Sequence, residues 1–110
     1  MSQPAVPEVA VTDLPDDAVV LDVREDDEWA AGHAPGAAHL PMTTLAEHLD
    51  DVPEGSPIYL VCRSGGRSSR ATQYLNANGW DAVNVAGGMT AWAAAGRPLE
   101  AAAGATPEII

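Results

Sequence analysis

Leu60-Val61-Cys62-Arg63-Ser64-Gly65-Gly66-Arg67-Ser68 is the stretch from which the fold of this chain is read. An apolar run over residues 58–61 delivers the only cysteine to the lip of a turn containing two adjacent glycines and two arginines. Directly after it, Ala71, Tyr74 and Leu75 recur at helical spacing, and Gly79 suits the position just past a helix end. The expected order is strand, tight loop, helix, with a thiol at the mouth of the loop.

That order has chemical consequences. Gly65 and Gly66 let the backbone curl so that successive N–H groups point inward as a nest for an anion. The first turn of the following helix adds unpaired N–H groups and the positive end of a dipole. A thiol held there ionises more easily than a free one. From a reference pKa of about 8.5, ~3% is thiolate at pH 7, and a fall of about two units raises that to ~75%, only about a 25-fold gain. Ionisation alone therefore does not make a catalyst, and the cradle must also hold a charged substrate or intermediate.

Charge patterning agrees. The chain carries sixteen acids and five arginines without a lysine, yet Arg63, Arg67 and Arg70 cluster behind Cys62, and no Asp or Glu occurs over residues 55–80. An acidic chain that clears its acids from one segment presents a local anion site. A lone cysteine is commonly a small buried hydrophobe. Here the glycine pair, the arginines and the missing acids favour a reactive thiolate.

The 110 residues suffice for one core and one domain. Residues 1–7 read as a loose N-terminus, 8–99 as the domain and 100–110, rich in alanine, as a frayed tail. Apolar residues make up 46% of the chain, which marks it as globular, and with no Phe the tryptophans Trp29, Trp80 and Trp92 are expected as core or cleft anchors. A net charge of −11 argues against nucleic acid and against anionic membranes. No signal peptide and no spanning run is visible. One cysteine cannot form an internal disulfide, so a reduced cytoplasm is the simplest setting. Together with scattered His33, His39 and His48, it shows no metal-ligand spacing.

In chain order, short strands are expected at 8–11, 18–21 and 38–40, and a helix at 25–31 stopped by Gly32. Thr43 or Thr44 is expected to cap a helix through Leu49. The strand at 58–61 and the helix behind the cysteine follow. A strand at 80–85, a Gly87-Gly88 turn and a helix at 89–95 stopped by Gly96 complete the domain. Strands alternating with helices, several of them continuously apolar, point to an α/β domain with a mainly parallel sheet. Ligands bind beyond the carboxyl ends of such strands. Cys62, Asp22 and the Gly87-Gly88 turn all sit at such ends.

Three stretches together resemble the rhodanese family. Asp22-Val23-Arg24-Glu25 with Glu28-Trp29 and Gly32-His33-Ala34-Pro35-Gly36-Ala37 resembles its first signature. Residues 79–92, from Gly79-Trp80 through Gly87-Gly88 to Ala91-Trp92, resemble its second. Cys62-Arg63-Ser64-Gly65-Gly66-Arg67-Ser68 resembles its active-site loop. The resemblance spans about residues 8–99 and implies a three-layer fold around a five-stranded, mainly parallel sheet. It implies a sulfurtransferase without a cofactor. Cys62 would attack the outer sulfur of a donor such as thiosulfate, sulfite would leave, and cyanide or a thiol would take sulfur from the persulfide. The thiol acceptor could be a small redox protein. Arg63 and Arg67 would hold the dianionic donor, Gly65 and Gly66 would supply N–H groups, and Ser64 and Ser68 hydroxyl donors, with helix capping the other role for Ser68.

Other residues read as structural. Arg24 is expected to pair with Asp22 or a nearby acid, Arg70 to be a rim charge, and His33 to make a local hydrogen bond. Met89 and Trp92 are expected to pack. The related cysteine phosphatases place five residues between Cys and Arg. Here four separate Cys62 from Arg67, and Ser68 stands where a phosphatase needs Arg, so the shorter loop suits sulfur better than a phosphoryl group. The remaining alternative is a sulfur-carrier or regulatory module that turns over poorly.

Overall fold

The computed structural model describes residues 5–110. Of the N-terminal segment read as loose, residues 1–4 lie outside the described residues. Pro7 is already held, its carbonyl accepting the Asn84 N–H at 2.8 Å.

Five strands form one sheet in the order β1-β5-β4-β2-β3, and every pairing is parallel. They are β1 (Glu8–Ala10), β2 (Val19–Asp22), β3 (Ala38–His39), β4 (Ile58–Val61) and β5 (Ala82–Ala86). Two helices lie between strands, α1 (Asp26–Ala31) between β2 and β3 and α2 (Gly66–Ala77) between β4 and β5, and α3 (Gly88–Ala94) follows β5. Parallel strands need long crossovers, and helical crossovers cover both faces, which is why β2 and β4 are apolar almost throughout.

Side chains alternate across the sheet and divide the core in two. On one side Leu21, Leu60, Ile58 and Ala82 pack with Ala71 and Leu75 of α2, and Cys62 continues that face past the end of β4. On the other, Val20, Val61 and Val85 pack with Met89 and Trp92 of α3. The cysteine thus leaves the central strand on the α2 side.

Two expectations are corrected. Residues 43–49 form no capped α-helix but two 3-10 turns, Leu45–Glu47 and Leu49–Asp51. Thr44 does not cap: its hydroxyl bonds back to the Pro41 carbonyl at 3.4 Å, and the segment closes by short-range bonds such as His48 N–H to Leu45 O. The strand expected at 80–85 begins at Ala82, because Trp80 turns back to donate its N–H to Leu75 O. The segment at 100–110 makes contacts with the domain. Glu100 forms an antiparallel bridge with His33, Glu108 N–H bonds Ala31 O at 2.9 Å, and Ile109 packs on the α3-side core. The Glu108 backbone lies so close to Gly32 that a side chain there would collide with it.

Candidate active site

The Cys62 loop is built on backbone contacts. Its carbonyls do not face water: Cys62 O accepts Met89 N–H at 2.8 Å and Arg63 O accepts Thr90 N–H at 2.9 Å. The first turn of α3 therefore holds the loop through N–H groups that a helix start leaves unpaired. The approach demands glycine at 88, since a Cβ there would run into the carbonyl oxygens of Cys62 and Arg63. The turn at 87–88 and the cysteine thus do meet at the carboxyl end of the sheet.

Around the sulfur, the nest is real but smaller than the glycine pair suggests. Gly65 adopts φ +111° and points its N–H at Cys62 Sγ at 3.0 Å. Gly66 opens α2 with no positive φ, so only the first glycine supplies the left-handed conformation. Ser68 is fully buried, its hydroxyl 3.3 Å from Sγ, 3.3 Å from Gly65 O and 2.6 Å from Asn84 Oδ1. It lies one turn inside the helix, where Gly65 is the cap. The Ser64 side chain is exposed, and its contribution to the sulfur is its backbone N–H.

Cys62 itself is only 1% exposed, with its flank among the apolar residues of the α2-side core. Burial raises the pKa of a thiol. The Ser68 hydroxyl and the N–H groups of Ser68, Gly65 and Ser64 outweigh burial and hold Cys62 below its ordinary pKa. The sulfur is enclosed, yet in a polar cradle rather than in hydrocarbon.

The cations separate. Arg63 is exposed and has no side-chain partner among the described residues. Arg70 is an exposed rim charge, as read from the sequence. Arg67 turns to α1, where Nη1 and Nη2 donate to Glu28 Oε1 and Oε2 at 2.7 and 2.8 Å. Hydrogen bonding to Arg67 lowers the Glu28 carboxyl to about 2, and Glu28 in turn raises the Arg67 pKa further. Glu28 is also fixed from behind: it accepts the Glu25 N–H at 3.1 Å in a capping box at the start of α1.

Arg24 is no substrate ligand. It is fully buried, its Nε and Nη2 grip both oxygens of buried Asp22, and Nη2 also donates to Gly32 O at 2.7 Å. The pair ties the end of β2 to the turn after α1. His33 makes its local bond to Trp29 O at 2.7 Å. Trp29 lies stacked between His33 and His39, at ring distances of 3.8 and 4.6 Å. Trp92 packs in the α3-side core, with its indole N–H on Pro98 O at 2.8 Å.

Two participants escape a reading of the sequence alone, Glu28 and Asn84. Asn84, 1% exposed on β5, donates Nδ2 to Glu8 Oε2 at 3.0 Å and to Gly65 O at 3.3 Å. A polar residue between Val83 and Val85 in a buried strand was its only signal.

Comparison with known proteins agrees with this architecture. The rhodanese-like domain family matches residues 8–95. A protein of Allochromatium vinosum named sulfurtransferase is 37% identical over 90 residues, covering 81% of this chain and 84% of its own length. A rhodanese-like domain protein from Staphylococcus aureus superposes with a TM-score of 0.73 at 38% identity, over 79% of this chain and 91% of that one. A NAD-dependent persulfide reductase from A. fulgidus gives a TM-score of 0.68 at 32% identity, over 79% of this chain but 16% of the larger protein. The parallel five-stranded sheet, with its cysteine loop clamped between the starts of α2 and α3, and the family match over most of its length establish that the chain belongs to the rhodanese-like domain family.

Proposed function

We propose that the protein is a sulfurtransferase that moves sulfane sulfur from an anionic donor to a thiol through a persulfide on Cys62. The observation that carries this is the set of donors around Sγ, namely the Gly65 N–H at 3.0 Å and the Ser68 hydroxyl at 3.3 Å. They favour a negative sulfur before transfer, as thiolate, and after it, as persulfide.

With thiosulfate, the simplest donor, the Cys62 thiolate attacks the outer sulfur and the S–S bond breaks. Sulfite departs as the dianion with the bonding electron pair, leaving Cys62–S–S⁻. An acceptor thiolate then attacks the terminal sulfur, carries it away as its own persulfide, and restores the Cys62 thiolate. Cyanide in an assay gives thiocyanate by the same attack. The backbone N–H groups are fixed before the reaction, so no reorganisation is needed as charge shifts between sulfurs. Exposed Arg63 meets the incoming anion at the rim. A reducing compartment such as the cytoplasm, with a small thiol or a redox protein as acceptor, suits this cycle.

The enclosed sulfur also favours a second reading. A thiol only 1% exposed, once loaded, suits a carrier that releases sulfur only to a docked partner. One experiment tests both. The protein is treated with thiosulfate, desalted and weighed intact, and turnover is then followed with cyanide. Enzyme function predicts one added sulfur, removable by reductant, many turnovers, and loss of both in Cys62→Ser. A carrier predicts one sulfur without multiple turnover. Absence of the adduct in the folded wild-type protein, after thiosulfate and after an alkyl persulfide alike, refutes both readings.

A further inference from the structure

The loop carries two arginines next to the thiol, but only one of them is available to a substrate. Arg67 is committed to Glu28 by two parallel bonds of 2.7 and 2.8 Å, and the Glu28 side chain is only 14% exposed. The carboxylate is not a loose surface group, because the Glu25 N–H holds it at 3.1 Å and the Thr43 hydroxyl steadies the Glu25 carboxylate in turn. Arg67 still lies close enough to Cys62 for their charges to interact.

Donor charge is the property this arrangement discriminates. Thiosulfate brings two negative charges to a site that already holds a thiolate, and its leaving group is again a dianion. An alkyl persulfide, R–S–S⁻, brings one and leaves as a monoanionic thiolate. With Arg67 paired, the cation that the loop itself still offers to the donor is Arg63, together with backbone N–H dipoles.

We propose that Glu28 is a specificity-determining residue: by holding the Arg67 guanidinium it cancels one of the loop's two cations and sets the site for monoanionic alkyl persulfides in preference to thiosulfate. The inference rests on the sulfurtransferase reading and names the donor class for that site. The step balances as Cys62–S⁻ plus R–S–S⁻ giving Cys62–S–S⁻ plus R–S⁻. The outer S–S bond of the donor breaks as the new one forms, and the departing thiolate keeps the bonding pair.

The test compares two donors, thiosulfate and 2-hydroxyethyl persulfide, whose only charge is on sulfur, with cyanide as common acceptor. Glu28→Gln keeps an acceptor for the Glu25 N–H while removing the charge that neutralises Arg67. Asp27→Asn removes the same charge from the same helix without a contact to Arg67. The wild-type protein is expected to show the higher kcat/KM with the persulfide. In Glu28→Gln the KM for thiosulfate should fall about tenfold, equivalent to about 1.4 kcal/mol. The persulfide KM and both kcat values should move less than twofold, and Asp27→Asn should leave the donor ratio unchanged. A wild type that prefers thiosulfate, equal shifts for both donors, or an Asp27→Asn shift as large as that of Glu28→Gln would overturn the role of Glu28 while leaving sulfur transfer intact. No transfer from either donor to the folded wild-type protein would instead overturn the sulfurtransferase reading itself.

Discussion

Ser68 Oγ lies closer to Asn84 Oδ1, at 2.6 Å, than to the Cys62 sulfur, at 3.3 Å. The orientation of the Asn84 amide is fixed by its other end, where Nδ2 faces two acceptors, Glu8 Oε2 and Gly65 O. Oδ1 can then only accept, and the Ser68 hydroxyl has one proton to give. Asn84, at the shortest distance, competes for it with the thiolate and Gly65 O, so a strand residue with no contact to solvent moderates the acidity of the loop.

Removing the competitor should make Cys62 more acidic. In Asn84→Ala the Ser68 proton loses its nearest acceptor and is shared between sulfur and Gly65 O, and the pH midpoint of iodoacetamide alkylation should fall by about half a pH unit, since a hydrogen bond of about 1 kcal/mol corresponds to roughly 0.7 unit. Asn84→Asp sets a stronger acceptor and a charge at the same place, so its midpoint should rise. If both variants move it in the same direction, the competition does not operate.

The two loop glycines should behave differently on substitution. Gly66 has an ordinary helical conformation and open space where a Cβ would go, so Gly66→Ala should keep thiosulfate loading and gain up to about 0.5 kcal/mol in urea unfolding. Gly65 sits at φ +111° with Gly87 N 3.4 Å from an added Cβ. Gly65→Ala should cost about 1–3 kcal/mol and cut loading, because the N–H that addresses Sγ turns with the strained residue. Equal behaviour of the pair would show that the nest does not depend on this one backbone angle.

The contrast between those glycines marks what the sequence can tell. Strand, loop and helix around Cys62 are written in local patterns: an apolar β-branched run, a glycine turn, a 3.6 period. The α/β class and the meeting of Cys62 with the 87–88 turn follow from them. Glu28 is 39 positions from Arg67, and nothing local tells that an acid of α1 reaches the loop from which acids are missing. The tail around residues 100–110 is held by bonds to His33 and Ala31, which no periodicity within it could announce. The segment at 43–49 has helical composition but is too short for propensity to decide, and its hydroxyls go elsewhere, Thr44 to the local backbone and Thr43 to the Glu25 carboxylate.

Asp22 and Arg24 should matter for stability rather than for sulfur chemistry. Both side chains are fully buried and paired at 2.7 Å. Asp22→Ala leaves a guanidinium without its counter-charge inside the protein, a change that costs about 3–5 kcal/mol. Urea unfolding should show that loss, while variant protein that remains folded at low temperature should still load one sulfur. A normal unfolding midpoint would mean that water reaches Arg24.

The Glu28–Arg67 pair makes a stability prediction with a definite pH window. Hydrogen bonding to Arg67 depresses the folded-state pKa of Glu28 from 4.5 to about 2. The unfolded chain therefore binds the proton first as pH falls, and the pair's contribution is fully present above about 4.5 and lost progressively towards 2. Arg67 is 36% exposed, so solvent screens the pair and the contribution near neutrality should not exceed about 1 kcal/mol. Glu28→Gln should thus unfold at slightly lower urea than wild type at pH 7, with the difference shrinking between pH 5 and pH 3. Added salt should shrink it at pH 7 as well. A difference that stays constant from pH 7 to pH 3 would assign the loss to packing around α1, and the carboxylate would then not be what holds Arg67.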